Sequence, residues 1–149
     1  MTKLVTERST MGRVTTQVTI ENMGDLYDVS QGRLNDDQVR RVSVPDALVD
    51  TGASTLSLPT SLIQKLGLTK VSTRRVTTAS GQAFADRYSP VRLRIQDRDA
   101  MVEVLEVPDG VPVLIGQIPL EFMDFVVDPA NQRLIGNPAH GGEWVLEMY

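Results

Sequence analysis

Ala47-Leu48-Val49-Asp50-Thr51-Gly52-Ala53-Ser54 is the stretch on which the reading of this chain turns. Three apolar residues run into an aspartate, and a glycine follows two places later. The apolar run reads as a buried strand and Gly52 as a tight turn at its end. Such a strand delivers one carboxylate to a fixed place. Burying a lone charge is costly, so a carboxylate at a strand end points to a functional use. The plain alternative is a carboxylate that only caps a turn.

Working outward from Asp50, alternation dominates. Arg13 to Ile20 places Val14, Thr16, Val18 and Ile20 on one face of a half-buried strand. Glu21 to Arg41, with Gly24, Gln31-Gly32 and Asn35-Asp36-Asp37, reads as a charged surface excursion with room for one short strand. Val42 and Val44 begin a strand that Pro45-Asp46 should break. After the octad, Pro59 suits a first helical position, Leu62, Ile63 and Leu66 follow at helical spacing, and Gly67 fits the cap. Arg74–Thr78 and Ala83–Tyr88 form a hairpin across Ala79, Ser80, Gly81 and Gln82. Val91–Ile95 and Met101–Val107 alternate again about a turn at Asp97-Arg98-Asp99. Val113-Leu114-Ile115-Gly116 is a second apolar run ending in glycine, and Pro119 opens a second short helix. Phe125–Val127 and Gln132–Ile135 are strands around a turn, and the tail from Trp144 alternates weakly. Each half of the chain thus echoes the other: strand, apolar run, glycine, helix opened by proline.

Composition bounds the possibilities. The chain has 149 residues, 41% hydrophobic and 23% charged, which suits one soluble domain with a core of ordinary size. A net charge of −4 gives no attraction to nucleic-acid phosphates. The absence of cysteine excludes disulfides, thiol nucleophiles and cysteine-ligated zinc. The single histidine, His140, cannot make a metal site, and a surface loop is its expected place. No metal and no other cofactor is expected. Polar residues follow Met1–Val5, and no apolar run has membrane-spanning length, so a cytoplasmic protein with no membrane partner is the expectation. Residues 1–12 read as a flexible arm and 13–149 as one domain.

Asp50-Thr51-Gly52-Ala53-Ser54, the hairpin tip, Val113–Gly116 and the helix after it occur in an order that resembles the retropepsin-like aspartic proteases. The likeness is to small bacterial single-domain members and spans about residues 13–136. It implies an all-β acid-protease barrel with two short helices and one Asp-Thr-Gly lobe per chain. It implies an aspartic endopeptidase with Asp50 as the catalytic carboxylate, supported by Thr51, Gly52, Ala53 and Ser54. Thr51 would lock two loops together at a two-fold axis, and Ser54 would donate to the outer oxygen of Asp50. Ala79, Ser80, Gly81 and Gln82 would be a flap over an extended peptide substrate, and Leu114, Ile115 and Gly116 the second apolar-glycine element.

Chemistry adds a constraint. Metal-free hydrolysis through water needs a base and an acid, and two close carboxylates sharing one proton supply both. Asp109-Gly110 and Gly24-Asp25 lack the strand-turn frame, so the second carboxylate must come from a second copy of the chain. A homodimer is expected. The 21–41 excursion and the tail after Gly136 are longer than in compact viral relatives, and the 144–149 segment is one candidate for stitching the dimer. Two rivals stay open: a peptide-binding or regulatory module that keeps the fold without proteolysis, and a protein that cuts only its own N-terminal arm.

Overall fold

Alternating apolar residues become strands because one face of each can be buried against the others. A computed structural model describes residues 13–148; the expected N-terminal arm lies outside them. The strands are β1 (Thr15–Asn22), β2 (Arg41–Val49), β3 (Leu56–Pro59), β4 (Lys70–Thr78), β5 (Gly81–Ile95), β6 (Arg98–Val107) and β7 (Leu114–Ile115), which form one sheet, and the small pair β8 (Phe125–Asp128) and β9 (Arg133–Gly136). The helices are α1 (Met23–Ser30), α2 (Thr60–Leu66) and α3 (Gln117–Phe122). The fold is mostly β, as the alternation requires.

The large sheet runs β1-β2-β7-β3-β6-β5-β4, and β1 pairs with β5 as well. The strands from β1 round to β5 therefore close on themselves, with β4 hanging from β5 as the free arm of a hairpin. Val18, Ile20, Leu56, Leu58, Leu93, Ile95, Val104 and Ile115 fill the interior, all fully or almost fully buried. The two-residue β7 lies between β2 and β3, parallel to the first and antiparallel to the second. The strands on either side of the Asp50 turn thus never bond each other. A segment sixty-odd residues downstream separates them.

Several expectations need correction. Residues 21–41 are not a loop: β1 runs on to Asn22, α1 follows, and a 3-10 turn occupies Asp36–Gln38. Asn22 caps α1 by accepting from Asp25 N–H at 3.1 Å, and its amide donates to Leu66 O at 2.8 Å, tying α1 to the end of α2. Buried Asp25 takes a two-pronged hydrogen bond from Arg40, at 2.8 Å to each oxygen. Long-range contacts, rather than propensity, hold this helix.

Pro45-Asp46 does not break β2. Thr16 faces Ala47 and Val18 faces Val44, so Pro45 and Asp46 together oppose Gln17 in a bulge. The strands read at Ala83–Tyr88 and Val91–Ile95 are one strand, and Ser89-Pro90 opposes Glu103 in a second bulge. Both prolines sit where the ladder skips. Pro59 is the residue before α2 rather than its first, and Pro119 lies inside the first turn of α3, which begins at Gln117. Arg98 is not a turn residue but opens β6, buried, and its guanidinium donates to Met123 O and Asp124 O beyond the end of α3.

The tail is not a strand over its described length, 144–148. It is pinned by a polar cluster. Asp124 Oδ2 lies 2.6 Å from His140 Nδ1 and accepts from Val145 N–H at 3.2 Å; Trp144 Nε1 donates to Phe122 O at 2.9 Å. The hydrogen bond with His140 holds the Asp124 carboxyl below the usual aspartate range despite burial. His140 is thus a half-buried structural partner, not a free loop residue.

Candidate active site

β2 delivers Asp50 along a ladder shared with β7. Leu48 N–H donates to Val113 O at 2.8 Å and Asp50 N–H to Ile115 O at 2.9 Å. The chain then turns: Ala53 N–H donates to Asp50 O at 3.0 Å, and Gly52 N–H donates to Asp50 Oδ1 at 3.0 Å. A main-chain donor therefore points at the carboxylate. A Cβ on Gly52 would stand 3.2 Å from Asp50 Oδ1, so glycine leaves that donor unobstructed. Asp50 is half-buried, while Thr51, Gly52 and Ser54 are exposed and Ala53 is half-buried.

The second apolar-glycine element clasps the loop from the other side. Gly116 N–H donates to Thr55 O at 2.8 Å, Gln117 N–H to Ala53 O at 2.8 Å and Ile118 N–H to Ser54 O at 2.9 Å. Leu114, Ile115 and Gly116 are thus brought against the Asp50 turn. Gly116 permits the approach, since a Cβ there would fall 2.5 Å from Thr55 O and 2.6 Å from Ser54 C. Those are backbone atoms that cannot step aside. Thr55 had no signal in the sequence, yet its hydroxyl donates to Glu103 O at 2.9 Å and anchors the end of the loop to β6.

The hairpin of β4 and β5 turns through Ala79-Ser80, with Thr78 paired to Gly81 and Thr77 to Gln82. Its tip is therefore tighter than the four-residue link expected. Gly81 has φ 123°, a conformation L side chains rarely adopt, and Thr78 Oγ1 donates to Gly81 O at 2.8 Å. Lower down, Asp86 accepts from Thr73 Oγ1 at 2.9 Å and pairs with Lys70 at 3.3 Å, which stiffens the base of the hairpin.

The other carboxylates considered have separate work. Asp109 accepts from Ser61 N–H at 3.0 Å and caps the start of α2. Asp25 belongs to the Arg40 pair. Among the described residues, no cluster of His, Asp or Glu could hold a metal ion. None of the described helices is long and apolar enough to cross a membrane.

A family model described as "Aspartyl protease" matches residues 30–118, which span the Asp50 loop, the hairpin and the apolar-glycine element. A search of curated proteins finds no match.

Proposed function

The chain belongs to the aspartyl protease family, of the retropepsin-like clan, and from that premise we propose that it is an aspartic endopeptidase whose working site joins Asp50 from each of two identical chains. The observation that carries the reading is the held carboxylate. Asp50 follows the end of β2, where Ala47 is buried and Leu48 and Val49 are half-buried, with the Gly52 amide on one oxygen and a loop clamped by Gly116.

The chemistry follows from two such carboxylates a few ångströms apart. Like charges that close cannot both ionise, so the pair keeps one proton, and its titration belongs to the pair. The ionised member takes a proton from a water molecule whose oxygen attacks the peptide carbonyl carbon. The protonated member gives its proton to the carbonyl oxygen. Collapse of the tetrahedral species breaks the carbon–nitrogen bond as a carboxyl proton passes to the leaving nitrogen. Thr51 from each chain meets its mate near the axis, and Ser54 steadies the outer oxygen of Asp50. Ala79, Ser80, Gly81 and Gln82 close over the substrate and exclude water.

A single Asp-Thr-Gly per chain supports the dimer, since Asp25 and Asp109 are committed elsewhere. Apolar exposure beside the loop supports it too. Ile118, whose amide bonds Ser54 O, is 62% exposed, and Phe122, one turn further along α3, is 48% exposed. The test is Asp50→Asn, which keeps size and removes the titrating group. Peptide hydrolysis by the purified variant should fall at least about a thousandfold with an unchanged circular dichroism spectrum. Full activity in the Asn variant would remove Asp50 from the mechanism.

A further inference from the structure

Strand register assigns the residues that share a face with Asp50. Residues directly opposite in a ladder point the same way, and alternate residues along a strand do too. Leu48 lies opposite Leu114, Leu114 opposite Ser57, and Ser57 opposite Leu105. Leu105 lies opposite Arg87, and Arg87 opposite Ser72. This row crosses from the strand that carries Asp50 to the hairpin, on the side away from core residues Leu56 and Val104. Asp50 joins the row because its amide continues the β7 ladder two residues after Leu48. On the hairpin, the same side carries Arg74 with Ala85, and Val76 with Ala83. Arg75 and Phe84 are on the opposite side.

The charges on this strip are few. Arg87 is committed: it reaches Glu103 Oε1 at 2.8 Å and Ser72 Oγ at 2.9 Å. Arg74 is exposed, and its guanidinium makes no ion pair or hydrogen bond among the described residues. Its neighbours on the strip are Ala85 directly opposite, Ser72 and Val76 along β4, and Ala83 and the committed Arg87 on the diagonals. With Arg87 already paired to Glu103, the Arg74 guanidinium is left to a ligand; it gains strength once a bound peptide displaces water, and its fork matches a carboxylate.

We propose that Arg74 determines substrate preference, reading an Asp or Glu side chain of the bound peptide near the bond to be cut. The inference rests on the endopeptidase reading above. It runs against the bulk field, because a protein of net charge −4 repels acidic peptides at long range. A preference for acid is therefore a local signature.

The experiment uses the full chain and a randomised peptide mixture whose cut sites are mapped by mass spectrometry. Matched peptides differing only by Glu, Gln or Lys at each flanking position follow. Wild type should show a kcat/KM ratio of Glu over Gln of about ten at one position. Arg74→Gln should bring that ratio near one, Arg74→Lys should keep part of it, and Arg74→Glu should turn the preference to Lys. Arg75→Glu makes the same charge change on the opposite side and should leave the ratio standing. A wild-type ratio of one at every position, or a preference that survives Arg74→Glu, overturns the assignment. Binding of fluorescent Glu and Gln peptides to Asp50→Asn chains, with and without Arg74→Glu, separates the two readings. If no peptide is cut, the endopeptidase reading falls. Tighter binding of the Glu peptide that Arg74→Glu abolishes would still uphold Arg74, and equal binding of both peptides would overturn it.

Discussion

Gly116 illustrates how much of the site rests on an atom that is missing. Its hydrogen where a side chain would stand lets three successive amides, of residues 116, 117 and 118, bond the loop after Asp50. Gly116→Ala puts a methyl group 2.5 Å from Thr55 O, and the obstructing atoms are backbone. The loop must move, and a displacement of about an ångström at a catalytic carboxylate can lower turnover about a hundredfold. The variant should also lose about 1–3 kcal/mol of stability, the usual range for overpacking. Steady-state kinetics and a thermal melt on the same preparation check both. Unchanged kcat would show that the clasp does not hold Asp50 in place. The sequence singled out Gly116 because an apolar run ending in glycine is a local pattern. It was silent on Thr55, whose anchoring partner, Glu103, lies 48 residues away.

At the scale of elements, closure of the strands depends on β1, which pairs with β2 on one edge and β5 on the other. Glu21 stands at that junction, opposite Arg41 on β2 and Arg92 on β5, and its side chain is 1% exposed. Arg92 Nε donates to Oε1 at 2.7 Å and Arg41 Nε to Oε2 at 3.1 Å. Burial pushes the Glu21 carboxyl up, but the hydrogen bonds and charges of Arg92 and Arg41 together outweigh it and hold it below the ordinary value of 4.5. A carboxyl with a depressed folded pKa stabilises the fold fully above its unfolded value. That contribution is lost as pH falls from about 4.5 through the folded pKa. Glu21→Gln should therefore cost about 2 kcal/mol near neutral pH, a fall in Tm of about 6 °C. The gap between the two melting curves should narrow as pH drops below 4.5. A gap independent of pH would mean that packing, rather than charge, accounts for the loss. The residues alternating along β1 announced a strand. Nothing local announced that it would pair on both sides and bury an acid between two arginines.

At the scale of the molecule, apolar side chains remain outside. Ile118 and Phe122 on α3 and Leu146 and Met148 on the tail are 48–84% exposed, the last two close to the residues pinned by Asp124 and Phe122. A dimer with two-fold symmetry that brings two Asp50 loops together would cover the part nearest the loop. It makes activity depend on concentration, so dilution below the dissociation constant should lower specific activity. Mixing gives a sharper measurement. Wild-type chains equilibrated with a roughly ninefold excess of Asp50→Asn chains should keep about a tenth of their activity, since random pairing leaves few wild-type pairs. If subunit exchange is demonstrated and activity persists, the shared site is wrong. By itself the sequence determined what is local: strands of period two, glycine where a turn or a close approach needs it, and the Asp-Thr-Gly frame that marks a held carboxylate. Only the tertiary structure decided that Pro45 and Pro90 fall in bulges, that α1 forms on the strength of Arg40 and Leu66, and that β7 separates β2 from β3. It alone put Arg74, and not Arg75, on the side of Asp50. The reason is register: a strand slipped by one residue turns every side chain to the other face, and register is fixed by pairing between segments far apart in the chain.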